Sequence, residues 1–120
     1  MRVGIDVIEL DKVPKTQAFL KRIAKPKEIE YINRYKCESG QRQRTATLWC
    51  VKEAVMKALG LGKDSGVTMK DIELCHEESG RPFVKLQKVA KTAFTELNLR
   101  EIEISISHSE TIASAICIIN

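Results

Sequence analysis

Aromatic residues make up only 5% of this 120-residue chain, so its core has to be built from Ile, Val, Leu and Ala. Long apolar runs are missing as well. No stretch approaches the roughly 20 apolar residues that a spanning helix takes, and Met1-Arg2-Val3-Gly4 lacks the apolar stretch and cleavage pattern of a secretory signal. A cytoplasmic protein without a membrane partner is therefore expected. There is no Cys-x-x-Cys: Cys37, Cys50, Cys75 and Cys117 are scattered, which reads as reduced, partly buried thiols and excludes a disulfide framework. Cys75-His76 stands without a second pair, so it does not make a metal site. Repeats, low-complexity tracts and interdomain linkers are absent, and the length fits a single domain over residues 1–120. So short a chain buries only about two-thirds of its unfolded surface, which makes an oligomer that buries more plausible.

What is present is an ordinary globular balance, 43% apolar and 30% charged, with a net charge of +4. Mild basicity suits an acidic protein partner, a polyphosphate ligand or nucleic acid, and does not choose between them. Lys12, Lys15, Lys21, Arg22, Lys25 and Lys27 cluster in the first quarter. They form either a solvated surface or a basic face that steers an acidic partner. Arg42 and Arg44 make a second, smaller basic group.

The apolar periodicity predicts a strand over Val3–Leu10, short helices over Phe19–Ala24 and from Pro26 to Ile32, and a break at Ser39-Gly40. A long helix is expected over Gln43–Leu59, where Leu48, Val51, Val55, Ala58 and Leu59 recur at helical spacing, with Gly60 as its stop. Strands are expected at Ile72–Cys75 and Pro82–Leu86 around a Glu78–Arg81 turn, then a helix over Val89–Leu97. Ile102–Ser107 alternates strictly, and Ile112–Ile119 reads as a more fully buried strand. This order of elements gives an α+β domain with an antiparallel sheet packed against helices.

Several residues carry chemical potential. Asp6 interrupts an apolar strand, where a carboxylate bears a desolvation cost; its alternative is a cap, disfavoured because Val7 and Ile8 continue the apolar run. Glu53 and Lys57 are four apart on one helix face. From spacing alone they are an exposed ion pair worth about 0.3–0.5 kcal/mol. With Asp6 beside them they meet the demand of Mg²⁺, which takes one or two carboxylates together with phosphate oxygens and water. Gly60-Leu61-Gly62-Lys63 follows the helix; its position at a helix C-terminus repels anions, so any help to a phosphate falls to Lys57, Lys63 or the loop backbone. Ser107-His108-Ser109 ends a strand, where His108 is either structural or a donor to a phosphate. No nucleophile elbow supports a serine hydrolase.

Taken in order, Gly4-Ile5-Asp6-Val7-Ile8-Glu9-Leu10, Trp49-x-x-Lys52-Glu53-Ala54-x-x-Lys57-Ala58-Leu59-Gly60 and Ile106-Ser107-His108-Ser109 before Ala113-Ser114-Ala115 resemble the holo-acyl-carrier-protein synthase family of 4′-phosphopantetheinyl transferases. Asp71-Ile72-Glu73-Leu74 and Gly80-Arg81-Pro82 add to the resemblance, which spans almost the whole chain. It implies the fold of that family and transfer of the 4′-phosphopantetheine arm of coenzyme A to a serine of apo acyl carrier protein. The by-product would be adenosine 3′,5′-bisphosphate, and the pathway served fatty acid biosynthesis. It further implies a homotrimer with interfacial active sites. Asp6 and Glu53 would hold Mg²⁺, Lys57 would contact the pyrophosphate of coenzyme A, and His108 of a neighbouring subunit would contact the nucleotide. Lys12, Lys15, Lys21 and Arg22 would dock the acidic carrier. Many relatives carry Arg where this chain has Leu48; Arg44, one helical turn earlier on the same face, is the candidate substitute. The competing readings are a small nucleic-acid-binding domain and a metal-dependent nuclease. The first is weakened by the shortage of stacking residues and of any recognition motif.

Overall fold

The computed structural model describes all of residues 1–120. In chain order the elements are β1 (Arg2–Glu9), α1 (Gln17–Ile23), α2 (Pro26–Asn33), α3 (Glu38–Leu59), β2 (Ile72–His76), β3 (Pro82–Leu86), α4 (Lys88–Glu96), β4 (Ile102–His108) and β5 (Ile112–Ile119). β1, β5 and β4 form an antiparallel sheet in that order, while β2 and β3 form a separate hairpin. The strands thus divide between two sheets, and the α+β class predicted from the element order holds.

The long helix α3 lies across one face of the main sheet. Its Ala46, Cys50, Val51, Ala54, Val55 and Ala58 meet the alternate residues Ala113, Ala115, Cys117 and Ile119 of β5, all buried. Small residues on both sides let helix and sheet approach closely. The approach is tightest at Gly4, where a Cβ would sit 1.9 Å from the Ala54 carbonyl oxygen and 2.6 Å from the Ala58 nitrogen. Only glycine fits there, because any side chain would meet helix backbone. A second apolar cluster joins Leu20 and Ile23 of α1, Ile32 of α2 and Leu48 of α3.

Helix α3 starts at Glu38, five residues before the expected Gln43. The expected break at Ser39-Gly40 is instead its first turn. Cys37 is the reason: its sulfur accepts the Gly40 N–H at 3.3 Å and caps the helix, a role that sequence reading assigns to Ser, Thr, Asp or Asn. Thr16 caps α1 in the ordinary way, accepting the Phe19 N–H at 3.1 Å. At the other end of α3, Gly60 takes the left-handed conformation (φ 72°), and the Arg2 Nε–H donates to the Ala58 carbonyl at 2.7 Å, so a cation covers the negative end of the helix dipole.

Candidate active site

Strand alternation decides which residues of β1 face the helix. Gly4, Asp6 and Ile8 point inward, while Val3, Ile5 and Val7 point to solvent. Asp6 therefore enters the seam between β1 and α3, with only 15% of its side chain exposed. Lys57 of α3 reaches it: Nζ donates to Asp6 Oδ1 at 3.1 Å and to the Ile5 carbonyl at 3.0 Å. In place of the expected Glu53–Lys57 pair, Lys57 pairs with Asp6 across the strand–helix seam. Asp6 Oδ2 is buried and has no hydrogen-bond partner.

Glu53 lies one turn before Lys57 on the same side of α3. Burial, and then the negative charge of Asp6, raise its pKa above the ordinary carboxylate value, and Lys57 offsets part of that. Cys50 sits a turn earlier again, its thiol pushed up to about 12 by burial and by the Asp6 carboxylate. Two carboxylates thus share one half-buried seam beside a single ammonium. Such a site carries an excess of negative charge and an unpartnered oxygen, the condition that a hard cation relieves.

Arg44 and His108 are elsewhere. Nine residues separate Arg44 from Glu53 on α3, which places them about half a turn apart around the helix axis. His108 is on β4, the sheet edge opposite β1, with β5 between. Both line a cavity of about 480 Å³ on the far side of α3, together with His76, Arg81, Tyr31 and Thr47. The Gln43 amide nitrogen lies 2.9 Å from His108 Nδ1; donation there leaves the ring proton on Nε2, free to donate outward. The Arg44 guanidinium stacks over Tyr35 at 4.2 Å, and the Tyr31 ring stacks on His76 at 4.5 Å. Thr47 Oγ1, also buried, has no partner. Leu48, where relatives often have Arg, is buried in the second apolar cluster. Lys63 stands exposed in the turn beyond α3.

One chain therefore brings together Asp6, Glu53 and Lys57, and separately Arg44 and His108, on opposite sides of α3. Sequence reading missed Gln43, His76 and Tyr31, which become visible only when the hairpin folds against β4 and α3. It gave Lys52 of the central motif no role, although that residue interrupts the apolar stripe Leu48, Val55 and Leu59.

The family model for the 4′-phosphopantetheinyl transferase superfamily matches residues 2–117. The chain belongs to that superfamily. A holo-[acyl-carrier-protein] synthase of Thermoanaerobacter sp. (strain X514) is 38% identical over 115 residues, covering 92% of this chain and 80% of the relative. Among solved structures, the holo-(acyl-carrier-protein) synthase of Bacillus anthracis str. Ames in complex with CoA (3′,5′-ADP) superposes with a TM-score of 0.81 at 28% identity, over 98% of this chain and 94% of that one. The Helicobacter pylori holo-[acyl-carrier-protein] synthase in complex with coenzyme A gives 0.82 at 24% identity, over 98% and 99%. At that identity it speaks for the fold, and the transferase architecture predicted from the sequence motifs is the one observed.

Proposed function

We propose that this transferase moves the 4′-phosphopantetheine group of coenzyme A to a serine of apo acyl carrier protein, releasing adenosine 3′,5′-bisphosphate, in support of fatty acid biosynthesis. The observation that carries the reading is the shared seam: Lys57 Nζ lies 3.1 Å from Asp6 Oδ1, and Glu53 is close enough for the Asp6 charge to raise its carboxyl. The orphaned Asp6 Oδ2 and the raised Glu53 carboxyl fit a divalent cation, and these two residues would hold Mg²⁺. When bound, Mg²⁺ supplies charge neutralisation of the pyrophosphate.

The chain's own residues do the rest. Lys57 Nζ rests on Asp6 with its side chain 53% exposed, which leaves the ammonium open to a phosphate, and it stabilises charge developing on the bridging oxygen. Lys63, exposed in the turn beyond α3, is the second lysine that would face the pyrophosphate. The carrier serine forms a bond to the β-phosphorus, the bond from that phosphorus to the bridging oxygen breaks, and the serine proton is released.

Arg44 and His108 would receive the nucleotide. Within one chain they lie across α3 from the carboxylates, so a neighbouring copy is needed to complete the site. Support for such a copy comes from the outer face of the main sheet, where Val3, Ile5, Val7 and Ile112 are 54%, 62%, 64% and 41% exposed. A continuous apolar strip of this kind calls for a partner surface. A homotrimer with interfacial sites is the arrangement we propose. The basic residues Lys21 and Arg22 in the last turn of α1, with Lys12 and Lys15 just before it, would dock the acidic carrier. No helix is long and apolar enough to cross a membrane, which fits work in the cytoplasm.

Mass spectrometry of apo acyl carrier protein incubated with coenzyme A and Mg²⁺ tests the reading. The expected result is a phosphopantetheine mass gain that disappears with chelator and in Asp6→Ala and Glu53→Ala. No gain across several carrier proteins would overturn it; nucleic acid hydrolysis in the same preparation would favour the nuclease instead.

A further inference from the structure

Lys52 has no place in the chemistry above, yet it is fully buried, at 0% exposure. It is the neighbour of Glu53 on α3, but its side chain leaves the helix about 100° further round, under the second apolar cluster. Its ammonium ends under the junction of α1 and α2. There Nζ donates to the Ile23 carbonyl at 2.6 Å and to Glu28 Oε1 at 2.8 Å. Ile23 is the last residue of α1, so Lys52 satisfies one of the carbonyls that a helix end leaves unpaired.

Glu28 is equally tied down. It is 4% exposed; Oε1 also accepts the Lys25 N–H at 2.8 Å, and Oε2 accepts the Leu74 N–H at 2.8 Å. One buried carboxylate and one buried ammonium thus join α1, α2, α3 and β2. Beside them Lys25 pairs with Glu73 at 3.3 Å. A buried ion pair is a poor way to gain stability, since well-packed apolar residues serve as well or better. Its fixed, directional geometry is what apolar packing would not supply.

We propose that Lys52, held by Glu28, is a positioning residue that sets the basic docking helix α1 at a fixed distance from the neighbouring Glu53. This rests on the reading of α1 as the carrier-docking element. Coenzyme A, bound by Lys57 and the Arg44–His108 cavity, makes no use of α1. Glu28 itself lines that cavity, but it keeps its bonds from the Lys25 and Leu74 N–H groups when the ammonium is lost, so the cavity wall stays in place while α1 loses its tie.

Steady-state kinetics of the full-length protein, folded by circular dichroism, test this in Lys52→Met. The long apolar side chain keeps the packing and removes the ammonium. KM for the carrier should rise about tenfold or more, as for other misplaced binding elements, while KM for coenzyme A stays within about twofold. The double variant Lys52→Met/Glu28→Gln leaves no unpaired buried charge and should show the same raised carrier KM; because Glu28 lines the nucleotide cavity, the coenzyme comparison is read from Lys52→Met alone. Equal changes in both KM values, no change in either, or failure of both variants to fold would overturn the proposal and leave the pair a structural one. Absence of transfer by the unaltered protein would instead remove the function on which the proposal rests.

Discussion

At the scale of single residues, the seam between β1 and α3 carries a stability cost, which the proposed function explains. Burial and the Asp6 charge raise the Glu53 pKa, so the folded chain binds that proton more tightly than the unfolded chain. Between the ordinary carboxylate value and the raised one, stability falls as pH rises, and above the raised value the whole penalty is present. Glu53→Gln should therefore melt at a higher temperature than the parent at pH 7 without metal, by calorimetry, and the gap should close on acidification. Mg²⁺ with coenzyme A should raise the melting temperature of the parent and not of the variant. Lys57→Ala should lower kcat by roughly 100-fold, the usual scale for removing one preorganised charge-stabilising group, with the fold intact because half of the side chain is exposed. Arg44→Ala should weaken coenzyme A binding by calorimetric titration; unchanged affinity would remove Arg44 as the substitute for the Arg that Leu48 replaces.

At the scale of elements, the site depends on how closely one strand approaches one helix. Gly4 sets that distance, two residues before Asp6. Gly4→Ala would place a methyl group 1.9 Å from the Ala54 carbonyl oxygen, forcing β1 and α3 apart. We expect a loss of about 3 kcal/mol, read as a fall of roughly 10 °C in melting temperature, and loss of transfer as Asp6 moves away from Glu53. Much of this was legible in the sequence. The strand around Asp6 and the helix around Glu53 announce themselves by apolar periodicity, and the three motifs together carry the family. Three features were not legible. A cysteine cap begins α3 earlier than Ser39-Gly40 suggests, because thiols are weak acceptors and rarely read as caps. The Lys57–Asp6 pair displaces the local Glu53–Lys57 pair, because an interaction across 51 residues leaves no trace in spacing. The cavity beside His108 is assembled from α2, α3, the hairpin and β4, each contributing residues that are unremarkable in isolation.

At the scale of the whole molecule, the two halves of the site face away from each other across α3, and the exposed strip Val3, Ile5 and Val7 lies on the free face of the sheet. Ile5→Lys/Val7→Lys should give a folded monomer by light scattering and should abolish transfer, since both residues are 62% or more exposed and take no part in the core of a single chain. Mixing inactive Glu53→Ala with inactive His108→Ala protein and allowing subunits to exchange should restore part of the activity, because some interfaces then carry both intact halves. The most direct measurement is an anomalous difference map from crystals grown with Mn²⁺ and coenzyme A. One peak is expected within coordination distance of carboxylate oxygens of both Asp6 and Glu53, with the nucleotide against Arg44 and His108 of the adjacent copy. Pyrophosphate bound with no metal at that seam, or a metal held by other residues, would contradict it.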